Sequence, residues 1–368
     1  MKNYILKVVK GEHLTEQEME SAMSTIMAGE ATPSQISALV TALRVKGETV
    51  EEMTGAARAM RAKATRIFPG NQAVNIDRDE INVEEETILD TAGTGGDGTG
   101  TFNVSTTTAV VAAGGGVKVA KHGNRAVSSL CGSADVLEHL GVELDITSSD
   151  VERCIREIGI GFLYAPLFHG AMKHAAATRR EIGIRTIFNL LGPLTNPAGA
   201  SAQVMGVYSP DLTEKMAQVL NRLGTREAFV FCGDGTFDEI SICGPTQLTH
   251  LKNGQTRSFE INPEDFGFQR AEPDAVRGGD AKQNAKIILD ILDGEKGPKR
   301  DMVLLNSAAA FVAAGLDGDL AEGIERAKAS IDSGSAKRKL EALISFTQQC
   351  RSFVRNNPRD FFHESHPS

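Results

Sequence analysis

The chain has 368 residues, of which 41% are hydrophobic and 24% are charged, and its 39 lysines and arginines against 48 aspartates and glutamates give a net charge of -9. This apolar content excludes wholesale disorder and suffices for a core, and the length suggests two domains. The negative charge argues against general nucleic-acid binding, which needs a basic surface.

Neither the start of the chain nor its cysteines indicate export or a membrane. The first apolar run is broken by Lys7 and Lys10 and lacks the apolar region of a secretion signal. No segment approaches the roughly 20 apolar residues that cross a bilayer. The five cysteines are an odd number at wide spacing, without a CxxC or Cys/His metal pattern. We therefore expect free thiols in a reducing cytoplasm.

Residues 1–69 predict a helical domain. Three segments match the S/T-x-x-E/Q capping box that begins a helix, at Thr15–Glu18, Thr32–Gln35 and Thr49–Glu52. Pro33 stands at the first helical position, where its missing N–H is not needed. Apolar residues then recur at helical spacing. The polar and acidic stretch 71–86 predicts a linker.

After residue 86 the pattern changes to an α/β domain with a mostly parallel central sheet. Alanine-rich helical runs alternate with short apolar strand-like runs at 88–90, 117–120, 161–165, 203–208 and 228–233. We assign residues 70–169 and 191–368 to this domain, and we expect the helical run 170–190 to contribute to the first one. The fold class is thus α/β, a small all-α domain plus a larger α/β domain.

A glycine-rich loop follows the apolar run at 88–90. Five glycines occur within eight residues, at positions 93, 95, 96, 98 and 100. Asn103 or Ser105 can cap the helix that follows. Exposed N–H groups and a helix N-terminus favour an anion, which makes phosphate binding a better interpretation than a tight turn alone. A dinucleotide site needs an acidic residue about 20 positions further on to bind the ribose, and no acidic residue occurs between Asp97 and Asp135. The Walker pattern of nucleotide-binding loops is also absent.

The segment KHGNRAVSSLCGS at 121–133 adds positive charge and hydroxyls. Lys121 can serve as a point charge for phosphate, and serines 128, 129 and 133 can donate to phosphate oxygens. His122 could be structural or functional on this pattern alone. Further on, the adjacent acids Asp238 and Glu239 suit either a solvated turn or a Mg²⁺ site.

Six motifs together resemble the anthranilate phosphoribosyltransferase family, and they occur in the family's order. They are GTGGD (93–97), NVST (103–106), KHGNRAVSS (121–129), GSADVLEHLG (132–141), GIRTIFNLLGPLTNP (183–197) and DEIS (238–241). The resemblance implies transfer of the phosphoribosyl group of 5-phosphoribosyl 1-diphosphate (PRPP) to the amine of anthranilate. The products would be N-(5-phosphoribosyl)anthranilate and pyrophosphate, in the second step of tryptophan biosynthesis.

The same motif matches imply which residues bind PRPP. These are Gly93, Gly96, Asp97, Thr101, Asn103, Val104, Ser105, Thr106, Lys121, His122, Gly123, Asn124, Arg125, Ala126, Val127, Ser128, Ser129 and Ser133. The implied Mg²⁺ ligands are Ser105, Asp238 and Glu239, with two ions on the diphosphate. Mg²⁺ needs only one or two carboxylates when substrate oxygens and waters complete its shell.

For anthranilate, the resemblance implies contacts with Gly93, His122, Asn124, His169 and Arg179. Arg179 can hold the carboxylate in a bidentate fork. The aniline nitrogen is neutral and already nucleophilic, so no residue is assigned as a general acid or base. The resemblance also implies a homodimer through the helical domain, and it leaves association with anthranilate synthase open.

Two other functions are weighed against this one. A pyrimidine nucleoside phosphorylase of the same superfold would not need the acidic pair Asp238 and Glu239, and KHGNR argues against it. A catalytically silent nucleic-acid-binding paralogue would have lost site residues or gained a basic face. The net charge of -9 and the filled motif positions argue against that second alternative.

Overall fold

The computed structural model describes residues 1–70, 72–77, 80–96, 98–126 and 130–356. The chain begins with the helices α1 (Lys2–Val9), α2 (Glu16–Met27), α3 (Pro33–Lys46) and α4 (Val50–Lys63). Each predicted capping box forms: the hydroxyls of Thr15, Thr32 and Thr49 accept from the N–H three residues on, and the Glu or Gln there accepts in return. Local sequence therefore sets where α2, α3 and α4 begin.

The predicted linker at 71–86 is wrong, because most of it is a hairpin. Strands β1 (Gln72–Asp77) and β2 (Glu80–Glu85) pair antiparallel, with Val74 opposite Val83 and Ile76 opposite Ile81. Apolar residues alternate with polar ones in both strands, which is the period of a strand. The acidic composition of the segment hid this alternation.

The larger part of the chain is built on a mostly parallel sheet, as predicted. In the described residues this sheet contains β3 (Ile88–Asp90), β4 (Lys118–Gly123), β5 (Ile160–Tyr164), β6 (Ala202–Gly206), β7 (Glu227–Gly233), β8 (Thr246–Lys252) and β9 (Gln255–Ile261). Their order is β5-β4-β3-β6-β7-β8-β9, and only the pairs β7–β8 and β8–β9 are antiparallel. The predicted fold class is confirmed.

Helices follow most of these strands. They are α5 (Val104–Gly114), α6 (Ser133–His139), α7 (Ser148–Ile158), α8 (Ala165–Phe168), α9 (Lys173–Ile182), α10 (Ile187–Leu191), α11 (Leu212–Arg222), α12 (Ala281–Leu292), α13 (Pro298–Ala313), α14 (Leu320–Asp332) and α15 (Ser335–Asn356). Across the parts of the chain that the structure describes, none of the helices has the length and apolarity to span a membrane.

The strand order creates a switch point between β3 and β6. From β3 the chain moves outward to β4 and β5, and it then returns to place β6 on the opposite side of β3. At such a point the connections leave the sheet in opposite directions, so a crevice opens outside the carboxyl ends of the strands. The glycine-rich loop after β3 lies at this edge.

Neighbouring residues of β6 and β7 point into different apolar cores. Val204 and Phe231 belong to the core that contains α5 and α13. Met205 and Val230 belong to another core, which they share with α2, α3 and α4 and with residues of α10 such as Phe188. This alternation is the strand period of two, and it packs the N-terminal helices against one face of the sheet.

A buried ion pair joins the N-terminal helices. Glu52 is fully buried, and its Oε2 accepts from Lys46 Nζ at 2.9 Å and from the N–H of Thr49 at 2.9 Å. Its Oε1 accepts from the N–H of Leu14 at 2.9 Å. One carboxylate therefore ties the connection before α2 to the end of α3 and the start of α4.

Replacing Glu52 by Ala should destabilise the fold by about 3–5 kcal/mol, since it leaves the Lys46 ammonium buried without its partner. Urea denaturation followed by circular dichroism measures this change. The matched control is Glu325→Ala, which removes an exposed ion pair with Lys328 and should cost less than about 1 kcal/mol. An equal loss of unfolding free energy in the two variants would contradict a structural role for the buried ion pair between Lys46 and Glu52.

Candidate active site

The glycine-rich loop is fastened to the end of the neighbouring strand β6. The N–H of Thr94 donates to the carbonyl oxygen of Gly206 at 2.9 Å. A Cβ on Gly93 would lie 3.0 Å from the same oxygen, so this close approach requires glycine. Positive φ angles between 66° and 78° occur at glycines 95, 96, 98 and 100. Their sequence pattern thus reflects a left-handed backbone path, which glycine adopts without steric cost.

A buried carboxylate that the sequence analysis missed joins this loop to β4. Asp90 ends β3, and its Oδ1 accepts from the N–H groups of Ala92 and His122, both at 3.1 Å. Burial raises the pKa of this carboxyl, and the charge of Lys121 only partly offsets the effect. An acid at the end of a buried apolar strand, just before a glycine loop, is the signal that could have identified it.

Lys121 lies beside the N-terminus of α5, as a phosphate-binding role requires. Its Nζ donates to Thr91 Oγ1 at 3.1 Å and to Ser105 Oγ at 3.3 Å, and the residue is 3% exposed. Burial lowers the pKa of the ammonium, while the carboxylates of Asp90 and Glu239 act in the opposite direction. The site therefore contains a buried lysine close to acidic groups.

Glu239 reaches the same helix end from the loop after β7. Its Oε1 accepts from the N–H of Ser105 at 3.0 Å, and the residue is 7% exposed. A carboxylate is stabilised at this position by the positive end of the helix dipole. The predicted NVST, KHGNR and DEIS motifs, which are distant in sequence, thus come together around Ser105.

A cleft opens between these elements. Predicted residues Gly93, Ser105, Asp238 and Glu239 line it together with Thr91 and Asn306. The sequence analysis did not select Thr91 or Asn306. Asn306 is a polar residue in the apolar run MVLLNSAAAFVA of α13, and that contrast could have singled it out.

The acidic pair suits a metal ion that arrives with a substrate. Among the described residues, no group of three or more His, Cys, Asp and Glu side chains could enclose a metal ion. Mg²⁺ in phosphate-transfer sites commonly takes one or two carboxylates and completes its shell with phosphate oxygens and waters. Asp238, Glu239 and the hydroxyl of Ser105 therefore fit Mg²⁺ bound to a diphosphate.

Other residues predicted for PRPP take varied positions around α5. Thr101 pairs with Arg277 through an isolated antiparallel β-bridge of the main chain, and Asn103 Oδ1 accepts from Asn284 Nδ2 at 2.8 Å. Asn103 occupies the N-cap position of α5, one of the two predicted alternatives, but its side chain makes no capping hydrogen bond to the helix. Val104 is buried in the core and Thr106 is 1% exposed. Four predicted residues lie outside the described part of the chain: Asp97, Val127, Ser128 and Ser129.

Ala126 and Gly132, which flank the undescribed residues 127–129, are both bonded to α6. Asp135 Oδ2 accepts from the N–H groups of Ala126 and Gly132, both at 2.9 Å. Arg125 donates to both carboxylate oxygens of Glu138, at 2.8 and 3.0 Å. The Arg125 charge is therefore already paired within the protein. The other predicted residues here are packed together: the carbonyl of Asn124 accepts from Ser133 Oγ, and a Cβ on Gly123 would contact that same hydroxyl.

Two predicted histidines form a buried pair. The rings of His122 and His169 have centroids 5.0 Å apart and are 6% and 8% exposed. Burial lowers the pKa of His122 to about 4 and that of His169 to about 3. Nδ1 of His122 lies 3.1 Å from the carbonyl of Gly192, which can only accept, so Nδ1 carries the proton. In the described part of the chain, neither Nε2 has a hydrogen-bond partner.

Arg179 on α9 differs from the two arginines near it. Its guanidinium lies 5.2 Å from the ring centre of Phe188, and burial lowers its pKa. Within the described residues, no carboxylate forms an ion pair with it. Arg180 is exposed, and Arg185 stacks on the ring of Tyr208 at 4.3 Å. Arg179 is thus a partly buried guanidinium without a carboxylate partner among the described residues, and burial lowers its pKa.

Comparison with known families identifies both parts of the chain. Residues 2–64 match the glycosyl transferase family, helical bundle domain, and residues 85–337 match the glycosyl transferase family, a/b domain. The chain is 57% identical to the anthranilate phosphoribosyltransferase of Geotalea uraniireducens (strain Rf4), over 95% of this chain and 100% of that relative. The enzyme of Geobacter sulfurreducens gives the same identity and coverage.

Solved structures agree with these relatives. Anthranilate phosphoribosyltransferase from Thermus thermophilus superposes with a TM-score of 0.85 at 43% identity, covering 94% of this chain and 99% of that one. The enzyme from Saccharomyces cerevisiae in complex with PRPP and Mg gives 0.83 at 30% identity, covering 94% and 97%. The yeast enzyme in complex with 4-fluoroanthranilate gives 0.80 at 29% identity, covering 95% and 99%.

The histidine pair should make the fold sensitive to acid. Both pKa values lie below the value of about 6.5 expected when unfolded, so this stability is complete above pH 6.5 and is lost as pH falls toward 4. Between pH 7.5 and 5.0, each imidazole should cost the wild type about 2 kcal/mol of unfolding free energy. Urea titrations at both pH values should show that His122→Asn/His169→Asn removes this loss.

The exposed His139 provides the control. His139→Asn should keep the pH dependence of the wild type, because this substitution removes an exposed histidine and leaves the buried pair intact. The interpretation is contradicted when the double variant and the wild type lose the same free energy of unfolding between pH 7.5 and 5.0.

Proposed function

The chain belongs to the anthranilate phosphoribosyltransferase family, and we propose that the cleft between the N-terminus of α5 and the loop after β7 is its active site. The enzyme transfers the phosphoribosyl group of PRPP to the amine of anthranilate, in the second step of tryptophan biosynthesis. The proposed location rests on one observation. At the N-terminus of α5, Ser105 forms hydrogen bonds with both Lys121 and Glu239.

The diphosphate of PRPP is proposed to lie against the loop 93–96 and the N-terminus of α5. Departure of the diphosphate from C1 of the ribose concentrates negative charge on the leaving oxygen. Aimed N–H groups and the desolvated ammonium of Lys121 would stabilise that charge without reorganising. This is supported by the positions of Gly93 and Ser105 in the lining of the cleft.

The proposed metal ligands are Asp238, Glu239 and Ser105. Mg²⁺ bound there would neutralise charge on the leaving diphosphate. The chemistry of these donors supports the proposal, as does the yeast relative that was solved with PRPP and Mg. We propose two ions, since two carboxylates and a diphosphate together offer enough oxygens to share between them.

Anthranilate is proposed to present its carboxylate to Arg179 and its ring to the histidine pair. Arg179 offers two parallel donors, and its guanidinium lies within cation–π distance of the ring of Phe188. Neutral His122 and His169 add no charge that would compete for the carboxylate. Asn124 and Gly93 complete the proposed contacts. The aniline amine attacks C1 without prior deprotonation, so positioning is the main task of these residues.

The arrangement of domains and partners is also proposed. Residues 1–69 with 170–190 would form the helical domain, and 70–169 with 191–368 the PRPP-binding domain. Two copies would associate through the helical domain, where Leu6, Val9 and Val45 are 56%, 66% and 82% exposed. A cytoplasmic location is supported by five free cysteines. Association with anthranilate synthase stays a prediction.

The activity is tested by the loss of anthranilate fluorescence on adding the enzyme, PRPP and Mg²⁺. We expect signal loss that requires all three components. Thymidine with phosphate, the substrates of the alternative phosphorylase, should give no turnover. Absence of anthranilate consumption together with thymidine cleavage would establish that alternative, and inactivity with both pairs would favour the catalytically silent paralogue.

Arg179→Ala should raise the KM for anthranilate by about 10- to 150-fold. This corresponds to losing a charged hydrogen bond worth about 1.5–3 kcal/mol. The KM for PRPP should change much less, as steady-state kinetics with each substrate varied will measure. Arg180→Ala, at the adjacent exposed position, is the matched control and should resemble the wild type. A larger effect on PRPP than on anthranilate would refute the role of Arg179.

A further inference from the structure

Asn306, which lies outside all the recognised motifs, forms hydrogen bonds to the main chain just after the acidic pair Asp238 and Glu239. Asn306 lies on α13 and is 1% exposed. Its Oδ1 accepts from the N–H of Ile240 at 3.0 Å, and its Nδ2 donates to the carbonyl of Ile240 at 2.9 Å. The same Nδ2 donates to the carbonyl of Met302 at 2.8 Å, within its own helix. One amide therefore engages both main-chain groups of the residue after Glu239.

The main chain of the acidic segment also packs closely on the ends of two strands. A Cβ on Gly206, at the end of β6, would collide with the main-chain carbonyl of Asp238. A Cβ on Gly233, at the end of β7, would lie 2.5 Å from the carbonyl oxygen of Glu239. The main chain of 238–240 is thus in contact both with the strand ends and with Asn306.

Only an amide suits this position. Ile240 is fully buried, so its N–H and carbonyl need partners within the protein. A leucine of similar size would offer neither a donor nor an acceptor. An aspartate would keep an acceptor for the N–H but would place negative charge against the carbonyls of Ile240 and Met302. Asparagine supplies a donor and an acceptor in one plane.

We infer that Asn306 is a positioning residue that sets the orientation of Asp238 and Glu239 toward the metal-bound diphosphate. It also lines the cleft beside those two acids, but it acts through the main chain of Ile240. The inference rests on the proposed binding of Mg²⁺ by the acidic pair. Residues that orient metal ligands in this way typically change metal affinity by 10- to 100-fold when they are replaced.

The test measures Mn²⁺ binding to the full-length enzyme in the presence of PRPP, by electron paramagnetic resonance of the free ion. Asn306→Ala should raise the Mn²⁺ dissociation constant by about 10- to 100-fold. Turnover at low Mg²⁺ should fall and be restored by raising Mg²⁺. The KM for anthranilate at saturating Mg²⁺ should stay close to that of the wild type, which a general loss of structure would not allow.

Ser307→Ala is the matched control. Ser307 is the next residue on α13 and fully buried, and its hydroxyl has no partner in the described part of the chain. This substitution disturbs the same helix without touching Ile240, so Mn²⁺ binding should equal that of the wild type. Weakening of Mn²⁺ binding by Ser307→Ala to the level of Asn306→Ala would overturn the inference.

Two further variants distinguish a failure to fold, a failure of the inference about Asn306 and a failure of the proposed metal site. Where circular dichroism shows that Asn306→Ala does not fold, Asn306→Asp keeps the size and the acceptor and should weaken Mn²⁺ binding for want of the amide donor. A folded Asn306 variant with the dissociation constant of the wild type overturns the inference. Wild-type affinity in Asp238→Asn/Glu239→Gln would instead show that the proposed metal site is wrong, and the inference would fall with it.

Discussion

The site depends on one hydrogen bond, from the N–H of Ser105 to the carboxylate of Glu239. It spans the crevice at the switch point of the sheet and joins the first turn of α5 to the loop after β7. The positive end of the helix dipole stabilises the acid there, and Lys121 reaches the same serine from β4. Ser105 of α5, Lys121 of β4 and Glu239 of the loop after β7 therefore lie together. A diphosphate and its metal ions could bind side by side at this position.

Holding these groups costs stability that the fold must supply elsewhere. Lys121, Asp90 and the two histidines are buried, and for each of them burial disfavours the charged form. Large apolar cores on both faces of the sheet provide the offsetting stability. A desolvated site of this kind needs no large rearrangement to stabilise a leaving group.

Local patterns predicted much of this structure. Capping boxes located three helices, and spacing predicted the glycine loop, whereas the acidic pair was assigned to Mg²⁺ only through the resemblance to the family. Features that depend on long-range contacts were missed. The role of Asp90 requires the neighbour of β3 to be known, and that of Asn306 requires α13 to pack on residue 240. Similarly, the sequence could not show that Glu138 already neutralises Arg125.

A crystal structure of the enzyme with PRPP and Mg²⁺ would show whether the diphosphate binds at this helix end. We expect the diphosphate against the loop 93–96 and the first turn of α5, within reach of Lys121, with metal between it and Glu239. A diphosphate bound elsewhere, touching none of these groups, would show that the active site lies in another part of the protein.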